Sequence, residues 1–188
     1  MPQFKALILS AGHHPYDPGA ISMAHAEHSI VTQINWYTLG YLSSTTIHIV
    51  PATSLRAKVE WIKAVAIADD DPSQYLLIET HLNSFHDKRV RGMEMLHLPD
   101  LDDDGELSAA GRASDHILYS LSELFADRGR KMRDDLYLLN QAPCPAIISE
   151  LGFLSNKDDR NLLVSPPHQD RIAELYAQGI MAAMRKVR

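Results

Sequence analysis

Cysteine is almost absent: Cys144 is the single one among 188 residues. That excludes an intramolecular disulfide and a cysteine-held zinc cluster, and leaves histidine and carboxylate side chains as the available metal ligands. Cys144 stands between Pro143 and Pro145 ahead of an apolar run, where it reads as a half-buried packing residue. Long apolar stretches are missing as well. Nothing approaches the roughly 18 residues that mark a membrane span, so no membrane insertion is expected. Basic charge is scarce, with 18 Lys and Arg against 24 Asp and Glu and a formal net charge of -6. Neutralising phosphates needs a basic surface, so no nucleic-acid partner is expected. One lysine precedes a very short apolar N-terminal segment and no small-residue cleavage site follows, which predicts a chain without a secretory signal, made in the cytoplasm.

What is present is the composition of a folded globular protein, 45% hydrophobic and 22% charged, without repeat or low-complexity tract. The length suits one domain. Residues 4–9 read as a short buried strand that ends in a loop carrying His13, His14 and Asp17 and closes with Pro18-Gly19. A helix is predicted over 27–42, with Ile30, Val31, Ile34, Tyr37 and Tyr41 at helical spacing. A β-branched strand over 45–50 stops at Pro51, and Ser54 suits the N-cap of a helix running to Ala68 with Val59, Ile62 and Val65 inward. The strand over 75–80 delivers His81 and Asn83 to its C-terminal end. After a polar loop over 84–91, containing Lys88, Arg89 and Arg91, come a strand over 93–98 and a helix over 108–125. Short strands are expected over 135–139 and 146–149, the latter ending at Glu150, and helices over 157–163 and 168–184. Strands that alternate with helices predict an α/β domain with a mostly parallel central sheet and helices on both faces. In such sheets the chemistry sits at the C-terminal edge of the strands.

Three potential ligands stand at the ends of separate elements: His13 after the first strand, Glu27 at the start of the first helix and His81 after the third strand. Two imidazoles and a carboxylate make a catalytic zinc set, because they hold the ion and leave a position open for water. Taken singly, each residue has an ordinary structural reading, and Glu27 suits the positive end of a helix whether or not a metal is present. Their joint position carries the case. His14 is a rival ligand. Glu150 would face the same crevice from the end of its strand, where a carboxylate can pass a proton from water to a leaving amine; the plainer reading is a rim salt bridge.

The run Gly12-His13, Asp17-Pro18-Gly19-Ala20, Glu27, Thr80-His81-Leu82-Asn83-Ser84, Gly92-Met93-Glu94 and Pro145 through Glu150-Leu151-Gly152-Phe153-Leu154-Ser155-Asn156 resembles the zinc-dependent N-acetylmuramoyl-L-alanine amidases. These are cell-wall hydrolases of bacteria and of phage endolysins. The resemblance implies an α/β fold with zinc at the C-terminal edge of its sheet, held by His13, Glu27 and His81, with Glu150 as the catalytic glutamate. It also implies peptidoglycan as partner and hydrolysis of the amide between the lactyl group of muramic acid and L-alanine. On that basis residues 1–188 are expected to form one catalytic domain without a separate wall-binding domain, an organisation that resembles a phage or prophage endolysin reaching the wall by a separate release route.

The family usually shows Gly-His-Gly-Gly with an aspartate shortly before it. Here Ser10-Ala11 precede Gly12-His13, and His14-Pro15 follow, which makes the loop stiffer and bulkier. Asp17 is expected to orient a ligand histidine by accepting its outer ring hydrogen. Asn83 and Arg91 are candidate substrate contacts. Asp100, Asp102, Asp104 and Gly105 match the opening of a calcium loop, but Gly111 stands where its bidentate glutamate belongs. Two other readings remain: a zinc peptidase or small-amide amidohydrolase of related fold, and a non-catalytic wall-binding module.

Overall fold

The computed structural model describes residues 4–43, 45–68, 71–99 and 107–185. The stretch Asp100, Asp102, Asp104 and Gly105 lies outside the described residues. The first strand, β1 (Ala6–Ala11), is apolar on both faces because it is hydrogen-bonded on both edges and covered by helices above and below. A two-residue ribbon of β2 (Ile21–Ser22) and β3 (His25–Ala26) leads into α1 (Glu27–Tyr41). Then come β4 (Thr46–Ile49), α2 (Leu55–Ile67) and, after a 3-10 turn at Pro72–Gln74, the long β5 (Tyr75–Asn83). The rest of the chain forms β6 (Met93–His97), α3 (Ala109–Leu121), β7 (Asp127–Met132), α4 (Tyr137–Gln141), β8 (Ala146–Phe153), α5 (Lys157–Leu163) and α6 (Pro166–Met184).

The sheet has six strands in the order β4-β1-β5-β8-β6-β7. The strands β4, β1, β5 and β8 are mutually parallel; β6 runs antiparallel to β8, and β7 is parallel to β6. Two cores follow from the two faces. One packs Leu7, Leu9, Leu76, Ile78 and Ile147 under α1, α3 and α6; the other packs Ile8, Leu77 and Ile148 with Val59, Ile62 and Leu138 from α2 and α4. Alternation along β1 and β5 sends successive side chains to opposite cores, which explains why these strands read as unbroken apolar runs. Each fully buried Leu or Ile contributes about 1.5–3 kcal/mol as an upper figure.

The expected α/β domain, with a mostly parallel sheet covered on both faces, is the one found. Several boundaries differ. The segment expected as a strand over 135–139 is extended only at its start and coils into α4 from Tyr137. The edge strand next to β6 is instead β7, Asp-Arg-Gly-Arg-Lys-Met, whose polar side chains are mostly exposed and which is hydrogen-bonded on one side only. Both β5 and β8 run further than expected, so His81, Asn83 and Glu150 lie within strands and β8 continues through Gly152-Phe153, past its expected end at Glu150. The helix α3 stops at Leu121, short of Phe125, and α6 starts at Pro166, where a proline without an N–H fits a helix's first turn. Ser54 precedes α2 as expected, yet its side chain makes no capping hydrogen bond.

Candidate functional site

At the C-terminal ends of β1 and β5 the sheet brings together three of the residues singled out above. Among the described residues, His13, Glu27 and His81 are the group whose ligand atoms all lie within 4.8 Å of one another. His13 reaches the centre from a backbone position with φ of 60°, in the left-handed region that few non-glycine residues adopt. The loop tolerates this because it is tied down: His28 Nδ1 donates to the Gly12 carbonyl at 2.9 Å, and the main chains of His14 and Asp17 bond each other. Glu27 opens α1 and is 3% exposed. Its Oε2 accepts from the Ala20 backbone N–H at 2.8 Å and its Oε1 from that of Leu82 at 3.0 Å, so both oxygens are aimed before any ligand is considered.

The two imidazoles flank this carboxylate. His13 Nε2 lies 3.2 Å from Glu27 Oε2, and His81 Nδ1 lies 2.9 Å from Glu27 Oε1, with ring centroids 5.0 Å apart. Backbone approaches this close need glycine. A Cβ on Gly19, whose φ is +73°, would come within 2.5 Å of Glu27 and 2.4 Å of His13, and one on Gly12 would strike the His81 ring. Burial opposes ionisation of Glu27, but hydrogen bonds from His13 and His81 outweigh it and hold the carboxyl well below the usual range. The hydrogen bond to Glu27 raises the His13 pKa against its burial. Burial alone would depress His81; its hydrogen bonds to Glu27 and Glu79 prevail and raise it to about 10. The donor set of two imidazoles and one carboxylate fits a divalent cation, which would take the place of these protons.

Glu150 lies beside this group, on β8 directly across from His81 of β5. Its Oε2 is buried without a hydrogen-bond partner among the described residues. Burial drives its pKa up, opposed by His81 and reinforced by Glu27 and Glu94, to about 7. Its neighbour across the other edge of β8 is Glu94, which accepts from Asn83 Nδ2 at 2.8 Å and Arg128 Nε at 2.9 Å.

The remaining candidates are placed as follows. Asp17 Oδ2 sits 3.5 Å from His13 Nδ1 on a side chain 65% exposed, a long and weak contact. His14 accepts from the Tyr16 N–H and lines the same cleft, outside the three-residue group. Arg91 pairs with Asp158 at 2.9 Å and more distantly with Asp159; Lys88 bonds the Phe85 carbonyl and Arg89 bonds Asp87. Asn83 links the end of β5 to β6 through Glu94. Two residues escaped sequence reasoning: Glu79, buried on β5, and Lys58, buried on α2, which pair at 3.0 Å behind His81. The one available signal was strand alternation, which puts Glu79 on the same face as His81.

A cleft of about 440 Å³ opens onto the group, lined by His13, Lys58, Glu79 and His81 together with the apolar Leu55, Tyr137 and Ile148. A second groove between α1 and β4, lined by Trp36, Leu39 and Ile49, carries no titratable side chain and no chemistry.

The model of the N-acetylmuramoyl-L-alanine amidase family matches residues 7–182. Two curated proteins of Bacillus subtilis are similar along nearly the whole chain. Protein YqiI is 25% identical over 176 residues, covering 94% of this chain and 83% of YqiI. The germination-specific N-acetylmuramoyl-L-alanine amidase is 22% identical over 192 residues, covering 94% of this chain and 78% of its own. In fold, the chain is similar to the CwlD amidase of Clostridioides difficile, solved with the GerS lipoprotein, with a TM-score of 0.80, 24% identity and coverage of 95% of this chain and 98% of that one.

Proposed function

This chain belongs to the N-acetylmuramoyl-L-alanine amidase family, and on that premise we propose that it uses a zinc ion, held by His13, Glu27 and His81, to hydrolyse the amide between the lactyl group of muramic acid and L-alanine. The observation that carries the reading is the pre-formed pair of imidazoles around a buried, doubly anchored carboxylate, with the unpartnered oxygen of Glu150 alongside.

When bound, such a cation supplies Lewis acidity toward an amide carbonyl and toward water. The chain's own residues supply the rest. Glu27, His13 and His81 would hold the ion; Glu27 is fixed by two backbone N–H groups and Gly12 and Gly19 leave room for the two imidazoles, so little reorganisation would accompany binding. Glu150, with its pKa near neutrality, takes a proton at Oε2 from the attacking water and returns it to the nitrogen of L-alanine as the C–N bond breaks. Asn83, bonded to Glu94, and Arg91, paired with Asp158, are proposed to meet the stem peptide, a role read as a raised KM with unchanged kcat in Arg91→Ala. The substrate lies outside the cytoplasmic membrane, so the proposed place of action is the cell wall, reached by a separate route as a phage or prophage endolysin would reach it.

The test is purified peptidoglycan incubated with the protein before and after chelation, with new amino termini and new reducing ends both assayed. The expected result is new L-alanine amino termini without reducing ends, abolished by the chelator and restored by zinc. Amino termini of other residues would transfer the reading to a zinc peptidase. Release that is indifferent to the chelator would overturn the metal.

A further inference from the structure

The geometry points to Glu79, clamped by Lys58 and Ser10, as the positioning residue that fixes the ring of His81 and presents its Nδ1 to the metal. This rests on the proposed reading of His13, Glu27 and His81 as metal ligands.

A metal-binding imidazole has two nitrogens, and the one that does not bind decides the tautomer and the ring angle by what it donates to. In His81 the division is visible. Nδ1 faces Glu27 Oε1 at 2.9 Å, inside the three-residue group, and Nε2 faces Glu79 Oε2 at 3.2 Å, outside it. The two residues stand on alternate positions of β5, which puts both side chains on one face of the strand. The corresponding partner of His13 is Asp17, which is mostly exposed and 3.5 Å away, so the two histidines are supported unequally. Support for His81 is the stronger of the two.

Glu79 is itself held from two further directions. Ser10, its neighbour in register on β1, donates its hydroxyl to Oε1 at 2.9 Å. Lys58 reaches from α2, donates to the same oxygen at 3.0 Å and also bonds the Ala11 carbonyl. The side chains of Lys58 and Glu79 are 3% and 4% exposed. Burying an ion pair brings little net stability, because desolvation of both charges offsets their attraction. A buried pair placed directly behind one metal ligand, with its other carboxylate oxygen given to that ligand, is explained by orientation instead. Lys58 also offsets the negative charge of Glu79.

Zinc affinity, measured by competition with a chromophoric chelator, tests this in the wild-type protein and in two double variants chosen to leave no lone buried charge. In Glu79→Leu with Lys58→Met the pair becomes apolar and His81 Nε2 loses its acceptor; zinc binding is expected to weaken about 10–100-fold. In Glu79→Gln with Lys58→Met an amide oxygen still accepts, and part of that loss is expected to return. Thermal melts of the metal-free proteins report folding separately from affinity. A second measurement needs no substitution: in the zinc-loaded wild type, two-bond nitrogen–proton spectra should show the proton of His81 on Nε2. Wild-type affinity, within twofold, in a folded Leu/Met variant overturns the role of Glu79 alone. A proton on Nδ1 does the same. Failure of the wild-type protein to bind zinc stoichiometrically overturns the metal site and this role together.

Discussion

Glu150 illustrates how much a single side chain can be asked to do. Its Oε2 lacks a hydrogen-bond partner among the described residues, so replacing the carboxylate with an amide costs no hydrogen bond at that atom. Burial is also what raises its pKa to about 7, and the neutral Gln resembles the protonated form in size and charge. Glu150→Gln is therefore expected to stay folded, with a stability change of no more than about 1 kcal/mol, read in a thermal melt. Turnover of a muramyl peptide should fall about 10²–10⁴-fold, the usual worth of a positioned acid–base group. Turnover within a few-fold of wild type would remove Glu150 from the proton path. Glu150 was legible in the sequence because it ends an apolar run; His13 and His81 likewise follow apolar strands, whereas Glu27 was read from its place at the start of a helix. Glu79 and Lys58 were not legible. Glu79 is one carboxylate inside a run of Leu, Ile and Thr, and Lys58 sits in a helix where lysine ordinarily faces water; their burial is a property of the contact between α2 and β5's neighbourhood, which no local pattern carries.

At the scale of elements, legibility followed burial. Helices with one apolar face, α1, α3 and α6, were recognisable by period, and the strands covered on both faces by their apolar runs. The edge strand β7 was not: it carries Arg128, Arg130 and Lys131 and takes its strand form from pairing with β6. Polar edge strands guard a sheet against pairing with other chains, at the expense of a readable pattern. The packing of α6 on α3 makes a prediction of its own. A Cβ on Gly179 would lie 2.8 Å from Ile117 Cα and 3.1 Å from the His116 carbonyl oxygen, both backbone atoms that cannot rotate away. Alanine is intrinsically the better helix former by about 1 kcal/mol, but overpacking of two helices costs about 1–3 kcal/mol and prevails here. Gly179→Ala is expected to lower the melting temperature in spite of its higher helix propensity. A higher melting temperature would mean that the helices move apart freely. Activity per folded molecule should be unchanged, because neither helix contributes a site residue.

For the whole molecule, the three proposed ligands come from the loop after β1, the first residue of α1 and the far part of β5, so the site exists only when the sheet and its first helix are assembled. A cation that binds there is linked to folding. At a free concentration a hundredfold above its dissociation constant it adds about 2.7 kcal/mol to the stability of the folded chain. A chain of this size shifts its melting temperature by about 2–4 °C per kcal/mol, so the expected rise on adding zinc is roughly 5–10 °C. The chain has 10 histidines, and weak zinc binding to them in the unfolded state pulls the rise toward the lower figure. Two controls separate this from general ion effects. Magnesium at the same concentration prefers oxygen ligands and should leave the melt unchanged, and His13→Ala should lose most of the zinc-dependent rise while folding without metal. In His13→Ala the backbone φ of 60° remains and the contact with Glu27 is lost along with the ligand, so the variant's own metal-free melt is the reference from which its zinc-dependent rise is read. A melt of the wild-type protein that zinc does not move, in calorimetry with the chelator as reference, would sink the metal site at this scale regardless of any activity assay.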